Sequence, residues 1–373
     1  MKAGIYIHIP FCISRCRYCS FNSIPFESAT ADNYLKALYR EIESCEYEIT
    51  PLSLYIGGGT PTVLPEEGIL SILRIIQNKF HLLPDTEVTL EANPGTLDKI
   101  DLAKMKDTGV NRVSLGVQSF NPAELRMMGR AHSREDVYNS VNKLKAAGFN
   151  NISIDLIISL PGQSMDDLTA SLDEAVRLGV QHISAYDLSI EEGTLFYTEA
   201  KAGRLALPPE TLQAEMYLNT VETLEKSGLK RYEISNFARP GYECRHNLNY
   251  WACGYYLGFG AGACSNLPGA RLTNERDIAR YSMAAGQGKS AVSSIETITV
   301  VEAEKEYIML GLRKAAGFNV GEFRERFGHD VMESYGAKIR RLSKGGFLEF
   351  SAGNLRLTLK GVLASNPVTA EFF

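Results

Sequence analysis

The sequence predicts an α/β protein: a partial, open (β/α)6 barrel, followed by a smaller α+β region with a winged-helix-like end. Three observations carry this. Short β-branched or aromatic runs alternate with helix-length stretches over the first 230 residues, six such units occur, and the text changes character afterwards. Six units fall short of the eight that close a complete barrel of about 250 residues, so an open one is expected.

The six strands read in order as "GIYIHI" from Gly4, "SLYIG" from Ser53, "EVTLEA" from Glu87, "NRVSLGVQ" from Asn111, "NISIDLII" from Asn151 and "HISAYDLSI" from His182. Between them lie amphipathic stretches such as "ADNYLKALYREIESCEYE" and "MDDLTASLDEAVRLG", the latter closing on Gly179 as helix C-termini often do. "PPETLQAEMYLNTVETLEKSG" reads as the closing helix, which gives a first domain over 1–230 and a second over 231–373. The second opens in Gly-, Asn- and aromatic-rich text, "RYEISNFARPGYECRHNLNYWACGYYLGFGAGACS", that reads as loop with short strands. From about residue 300 come three helical stretches and then "FLEFSAGNLRLTLKG", two strands around a Gly-Asn turn; this is the winged-helix-like module, 300–373.

A chain of 373 residues with 45% hydrophobic content can bury a sizeable core. No secretory or import segment precedes "GIYIHIPFC" and no apolar run is long enough to span a bilayer, so a cytoplasmic protein is expected, with peripheral membrane contact left open. In that reducing setting seven cysteines are ligands or buried thiols rather than disulfides. The net charge of −5 argues against a nucleic-acid partner, and the basic residues Arg340, Arg341 and Lys344 read as a solvated helix face.

Cys12, Cys16 and Cys19 follow directly on the first strand, where barrel enzymes assemble their sites. A CxxxCxxC loop can hold three irons of a [4Fe-4S] cluster and leave the fourth open. An open iron can chelate the amino and carboxylate groups of S-adenosylmethionine, so that one electron from a donor protein cleaves the sulfonium to an adenosyl radical. A structural zinc site completed by His8 or Cys45 is the competing reading, without zinc-like spacing. Other strand ends agree with the cluster. "GGGTP" (Gly57–Pro61) lets backbone approach a ligand, and Glu91, Gln118, Asp155 and Ser189 fall at the ends of strands three to six. Carboxylates there can accept from an ammonium or a ribose diol, and Arg130 can pair with a carboxylate.

Together, "YIHIPFCxxxCxYC", "GGGTP", "EANP", "GVQSF", "GRAHS" and "DLIISLPGQS" resemble the radical S-adenosylmethionine superfamily, and within it the group of the oxygen-independent coproporphyrinogen III oxidases (HemN) and the haem chaperones (HemW). The resemblance implies a radical SAM-type barrel, Cys12, Cys16 and Cys19 as cluster ligands, and Tyr6, Tyr18, Gly58, Gly59, Thr60, Glu91, Gln118, Arg130, Asp155 and Ser189 as the contacts of S-adenosylmethionine. Phe21 stands where the oxidase pattern has a fourth cysteine, and the segment before the first cysteine is short. "RHNLNYW" holds the HNxxY pattern, His246, Asn247 and Tyr250, which resembles the haem-binding motif of the chaperone branch; the alternative for His246 is a hydrogen-bonded core residue. Cys244, Cys253 and Cys264 read as buried thiols, with an auxiliary cluster or a thiolate haem ligand as alternatives. Ser159 replaces a glycine expected in relatives. The expected function is therefore a haem chaperone, with haem as cargo and haem-accepting proteins, including respiratory enzymes at a membrane, as partners. The competing expectation is an enzyme acting on a tetrapyrrole side chain, as a coproporphyrinogen III oxidase does.

Overall fold

The computed structural model describes residues 1–373. Six parallel strands lie side by side in chain order: β1 (Lys2–Ile9), β2 (Thr50–Gly58), β3 (Glu87–Ala92), β4 (Arg112–Gln118), β5 (Ile152–Ile158) and β6 (His182–Asp187). The helices that link them include Ser28–Ser44, Glu66–Phe80, Arg134–Ala146 and Met165–Arg177. Their start signals are local: Ser133 and Ser164 each form a capping box with an aspartate three residues on.

Alternation along the strands decides what faces where. Ile5, Ile7, Leu54, Ile56, Val88, Leu90, Val113, Leu115, Ile154 and Leu156 point outward and pack with Ile69, Leu73, Val141 and Leu172 of the helices in one core. The alternate positions, Tyr55, Glu91, Arg112, Ser114, Asp155 and Ser184, line an interior cavity. A closed barrel fills its interior with branched apolar side chains; this one keeps a polar interior, which is the composition of a ligand site.

The sheet does not close. It runs to 12 strands, with Asn236–Ala238 and Lys230–Arg231 beyond β6, and Tyr256–Phe259, Cys264–Leu267, Ala270–Asn274 and Val292–Thr297 beyond β1. The stretch after residue 230 thus extends both edges of the same sheet, and its "RHNLNYW" forms a helix, Arg245–Trp251, packed on β2 where loop was expected.

A second core begins at Tyr307 and gathers Phe318, Phe323, Ile339, Leu355 and Phe372. Helices Val300–Gly311, Val320–Phe327 and Val331–Lys344 accompany a three-stranded sheet in which the hairpin Leu348–Ser351 and Asn354–Leu357 is joined by Phe318–Asn319 from between the first two helices, the arrangement expected of a winged-helix-like end. The hairpin turn lies one residue earlier than the expected Gly-Asn. Ala352 and Gly353 take φ of 49° and 80°, as two-residue turns demand, while Asn354 already pairs with Ser351. No helix is long and apolar enough to cross a membrane.

Candidate S-adenosylmethionine and iron–sulfur site

At the carboxyl ends of β1 to β6 the interior opens into a cavity of about 370 Å³. Cys12, Cys16, Cys19, Tyr18, Gly58, Gly59, Thr60, Glu91, Gln118, Arg130, Asp155 and Ser189 all line it, as does Asn247. Tyr6, His246 and Tyr250 do not.

The glycine turn is locked to the cysteine loop by backbone bonds. Gly59 N–H donates to Ile9 O at 2.8 Å and Thr60 N–H to Phe11 O at 2.7 Å, while the Thr60 hydroxyl lies 3.7 Å from Cys12 Sγ. A Cβ on Gly59 would stand 2.6 Å from Phe11 O, so only glycine permits this approach. Arg130 reaches the loop from the other side: Nη1 donates to Cys16 Sγ at 3.3 Å, Nη2 to Asn93 Oδ1 at 2.6 Å and to Gly116 O, and its buried Nε has no partner. Asn93 Nδ2 in turn donates to the Thr60 hydroxyl at 2.8 Å. A bulge between Gly116 and Gln118 turns β4 at its end and leaves Gln118 in the left-handed region, φ 68°, the kind of strain held at functional sites.

The two carboxylates differ in environment. Glu91 accepts from the Tyr55 hydroxyl at 2.6 Å and from Gly58 N–H at 3.0 Å, and burial pushes its carboxyl up to about 7 against those bonds. Burial also raises Asp155, offset by Ser184 and Arg112, with the Ser114 hydroxyl 3.4 Å from both oxygens. Burial raises the Cys12 and Cys19 thiols, which puts a premium on a bound cation to hold them as thiolates.

Fit to a cluster follows from the donor set. Three thiols share one wall of a cavity that brings no histidine to them, and a guanidinium is already turned to Cys16. Three thiols of one short loop can each bind a different iron of a cubane, whereas a structural zinc site needs a fourth protein ligand. The zinc alternatives are otherwise employed: His8 is buried, with Nδ1 2.9 Å from the Tyr6 hydroxyl and Nε2 2.8 Å from Asn22 O, and Cys45 caps the helix Ser28–Ser44. Cys244, Cys253 and Cys264 are dispersed, beside Glu87, against the second core and beside Thr273.

The HNxxY helix divides by face. Asn247 lines the cavity, whereas His246 is 1% exposed, with Nδ1 2.8 Å from Ser53 Oγ and Nε2 3.1 Å from the Tyr250 hydroxyl. Burial lowers its imidazole to about 3, so it is neutral, and ligation of iron there requires one of the two bonds to be given up. Asn93, Arg112, Ser114 and Ser184 are cavity residues that motif reading passed over. The signal was present in the alternation: Glu91 with Asn93, and Arg112, Ser114, Gly116 and Gln118, step by two onto one face.

Comparison with known proteins gives consistent relatives. The profile of the radical SAM superfamily matches residues 6–175 and that of the HemN C-terminal domain residues 300–364. The protein named heme chaperone HemW of Bacillus subtilis is 38% identical over 100% of this chain and 99% of its own length. That of Mycobacterium tuberculosis is 34% identical over 98% and 93%. The Danio rerio protein named radical S-adenosyl methionine domain-containing protein 1, mitochondrial, is 31% identical over 99% and 86%. Among solved structures, the Escherichia coli coproporphyrinogen III oxidase HemN superposes with a TM-score of 0.85 at 23% identity, covering 100% of this chain and 90% of that one, a likeness of fold.

Proposed function

The chain belongs to the HemN/HemW group of the radical S-adenosylmethionine superfamily, and from that premise we propose that it is a haem chaperone, holding haem and delivering it to haem-dependent proteins, respiratory enzymes at a membrane among them. The observation that carries this is end-to-end similarity, at 38% identity, to proteins named heme chaperones. Phe21 supports it: where the oxidase pattern has a fourth cysteine, this chain places an aromatic ring that is 64% exposed at the cavity mouth.

Cys12, Cys16 and Cys19 would hold a [4Fe-4S] cluster, which supplies an iron open to the amino and carboxylate groups of S-adenosylmethionine and an electron taken from a donor protein. The chain's own residues do the positioning. Arg130, held by Asn93 and Gly116, donates to Cys16 Sγ and offers a guanidinium for a carboxylate. Gly58, Gly59 and Thr60 offer backbone to the ligand, Glu91 and Asp155 accept from its donors, and Gln118, Tyr18, Ser189 and Asn247 complete the wall. Tyr6 acts from behind through His8. The site binds and orients in a cytoplasmic protein.

Two measurements test the reading. Haem-loaded protein mixed with a haem-free acceptor should transfer haem. Reduced protein incubated anaerobically with S-adenosylmethionine and coproporphyrinogen III should give no protoporphyrinogen IX over many turnovers; sustained product would overturn the chaperone reading in favour of an oxidase. Cys16→Ser should lose the iron and sulfide of the cluster, and full occupancy in that variant would remove Cys16 as a ligand.

A further inference from the structure

A cluster on the cysteine loop needs a route for its electron. Resting on the cluster reading, we infer that an acidic one-electron carrier protein docks on the outer face of that loop, with Arg15 and Arg126 meeting its acids and Ile13 as the apolar anchor.

Access comes first. Cys12 and Cys19 line the barrel cavity, whereas Cys16 lines both that cavity and a second, smaller concavity of about 140 Å³. Ile13, Ser14, Gly95, Gly129 and Ala131 wall the second one, and Arg130 and Asn93 form the partition between the two. Ile13, Ser14, Gly95 and Ala131 are exposed, so this concavity opens to solvent, and their small side chains keep its wall thin. In the proposed site S-adenosylmethionine occupies the cavity, which leaves the outer face as the side from which a carrier reaches Cys16.

Charge comes second. The segments 15–17 and 126–134, which frame the concavity, hold five arginines and no acid in a chain of net charge −5. Arg130 is engaged with Cys16, Asn93 and Gly116, and Arg17 and Arg134 pair with Glu199 and Glu174. Arg15 and Arg126 are exposed and enter none of the chain's ion pairs. The two segments adjoin: Arg17 N–H donates to Met128 O at 3.0 Å and its Nη1 to Met127 O at 3.2 Å. Of the neighbouring acids, Asp136 is committed to the capping box of Ser133, and Glu135 stands outside the concavity. A cationic rim steers an acidic partner in and turns a basic one away.

Shape comes third. Ile13 is 65% exposed in the cysteine loop, where it packs in none of the cores. An apolar residue flanked by cations suits a small, transient interface that charge assembles and that releases quickly. In the docked complex the carrier is oxidised by one electron and the cluster is reduced by one; no bond is made or broken.

The test uses the cluster-loaded full chain and a flavodoxin, an acidic flavin protein, as the probe. Its hydroquinone should bleach the cluster absorbance in stopped flow, at a rate that falls about tenfold from about 50 to 300 mM salt. Arg15→Glu/Arg126→Glu should lose about tenfold both in that rate and in affinity for oxidised flavodoxin, and Arg126→Glu alone, outside the cysteine loop, about threefold. Photoreduced deazaflavin, a small neutral reductant, should reduce wild type and variants at one rate. Wild-type rate and affinity in both variants overturn the docking face. So does equal slowing with deazaflavin, which makes the arginines part of the cluster's surroundings, and so does tighter binding of a DNA duplex than of flavodoxin. A wild-type chain that takes up no iron and sulfide overturns the cluster reading itself.

Discussion

Glu91 shows how one residue can set a pH dependence. Buried and held by Tyr55 and Gly58, its carboxyl titrates at about 7 instead of the ordinary carboxylate range. The folded state therefore holds a proton that the unfolded chain has lost between about pH 4.5 and 7, and this group's contribution to stability falls as pH rises through that window. Ligand binding runs the other way, because the ionised form is the stronger acceptor. S-adenosylmethionine affinity should rise about tenfold from pH 6 to 8 in wild type and become flat and weak in Glu91→Gln, as isothermal titration at several pH values would show. Ser159 tests a different term. It sits buried just past β5 with φ of 59°, a conformation that costs a side-chain-bearing residue about 1 kcal/mol and glycine almost nothing. Ser159→Gly should stabilise the chain by about that amount in denaturant unfolding; a lower midpoint would mean that the hydroxyl outweighs the strain.

Among the elements, the six core strands were legible because each is a short β-branched or aromatic run between helix signals, and EVTLEA matches β3 residue for residue. The helix Arg245–Trp251 was not, because its cap is remote. No side chain of its own caps it; instead Glu87, on β3, accepts from Arg245 N–H at 3.0 Å and His246 N–H at 3.1 Å. A carboxylate nearly 160 residues away leaves no local signature, and the helix itself is too short and polar to show periodicity. The short strands expected in this stretch had no readable bounds for a related reason: between Tyr256 and Asn274 glycine-rich text pairs through its backbone with β1 and with itself. Glu87→Ala removes both bonds from the buried end of a short helix. It should cost about 1–2 kcal/mol and lower amide-exchange protection across residues 245–251, while the cluster loop keeps its own.

At the scale of the whole molecule two cores are held together by a backbone bridge between Glu233 and Lys314, by Tyr217, Ile234 and Cys253 packed on the second core, and by two charged contacts. Arg313, from the carboxyl-terminal region, stacks 4.5 Å from the ring of Trp251, the only tryptophan in the chain, and lies 4.0 Å from Glu233, which is 0% exposed. Arg271 adds a bidentate pair to Glu306 at 3.1 and 2.8 Å. Burial raises the Glu233 carboxyl and Arg313 opposes that rise, so the guanidinium keeps an enclosed carboxylate tolerable. Arg313→Ala leaves Glu233 without its cation and strips one face of Trp251, a loss on the order of 1–2 kcal/mol for a part-exposed guanidinium that stands 4.0 Å from its carboxylate. The sign of its pH dependence follows. With Arg313 gone the carboxyl rises further, the folded state holds its proton to higher pH, and stability falls more steeply as pH climbs above the ordinary carboxylate range. Because Trp251 is the sole tryptophan and sits on the junction, its fluorescence reads docking directly. Denaturant titration of Arg313→Ala should show Trp251 emission changing before the far-ultraviolet circular dichroism of the main sheet, with a wider gap at pH 8 than at pH 6. Coincident transitions at both pH values would mean that the two cores unfold as one body and that Arg313 does not hold them together.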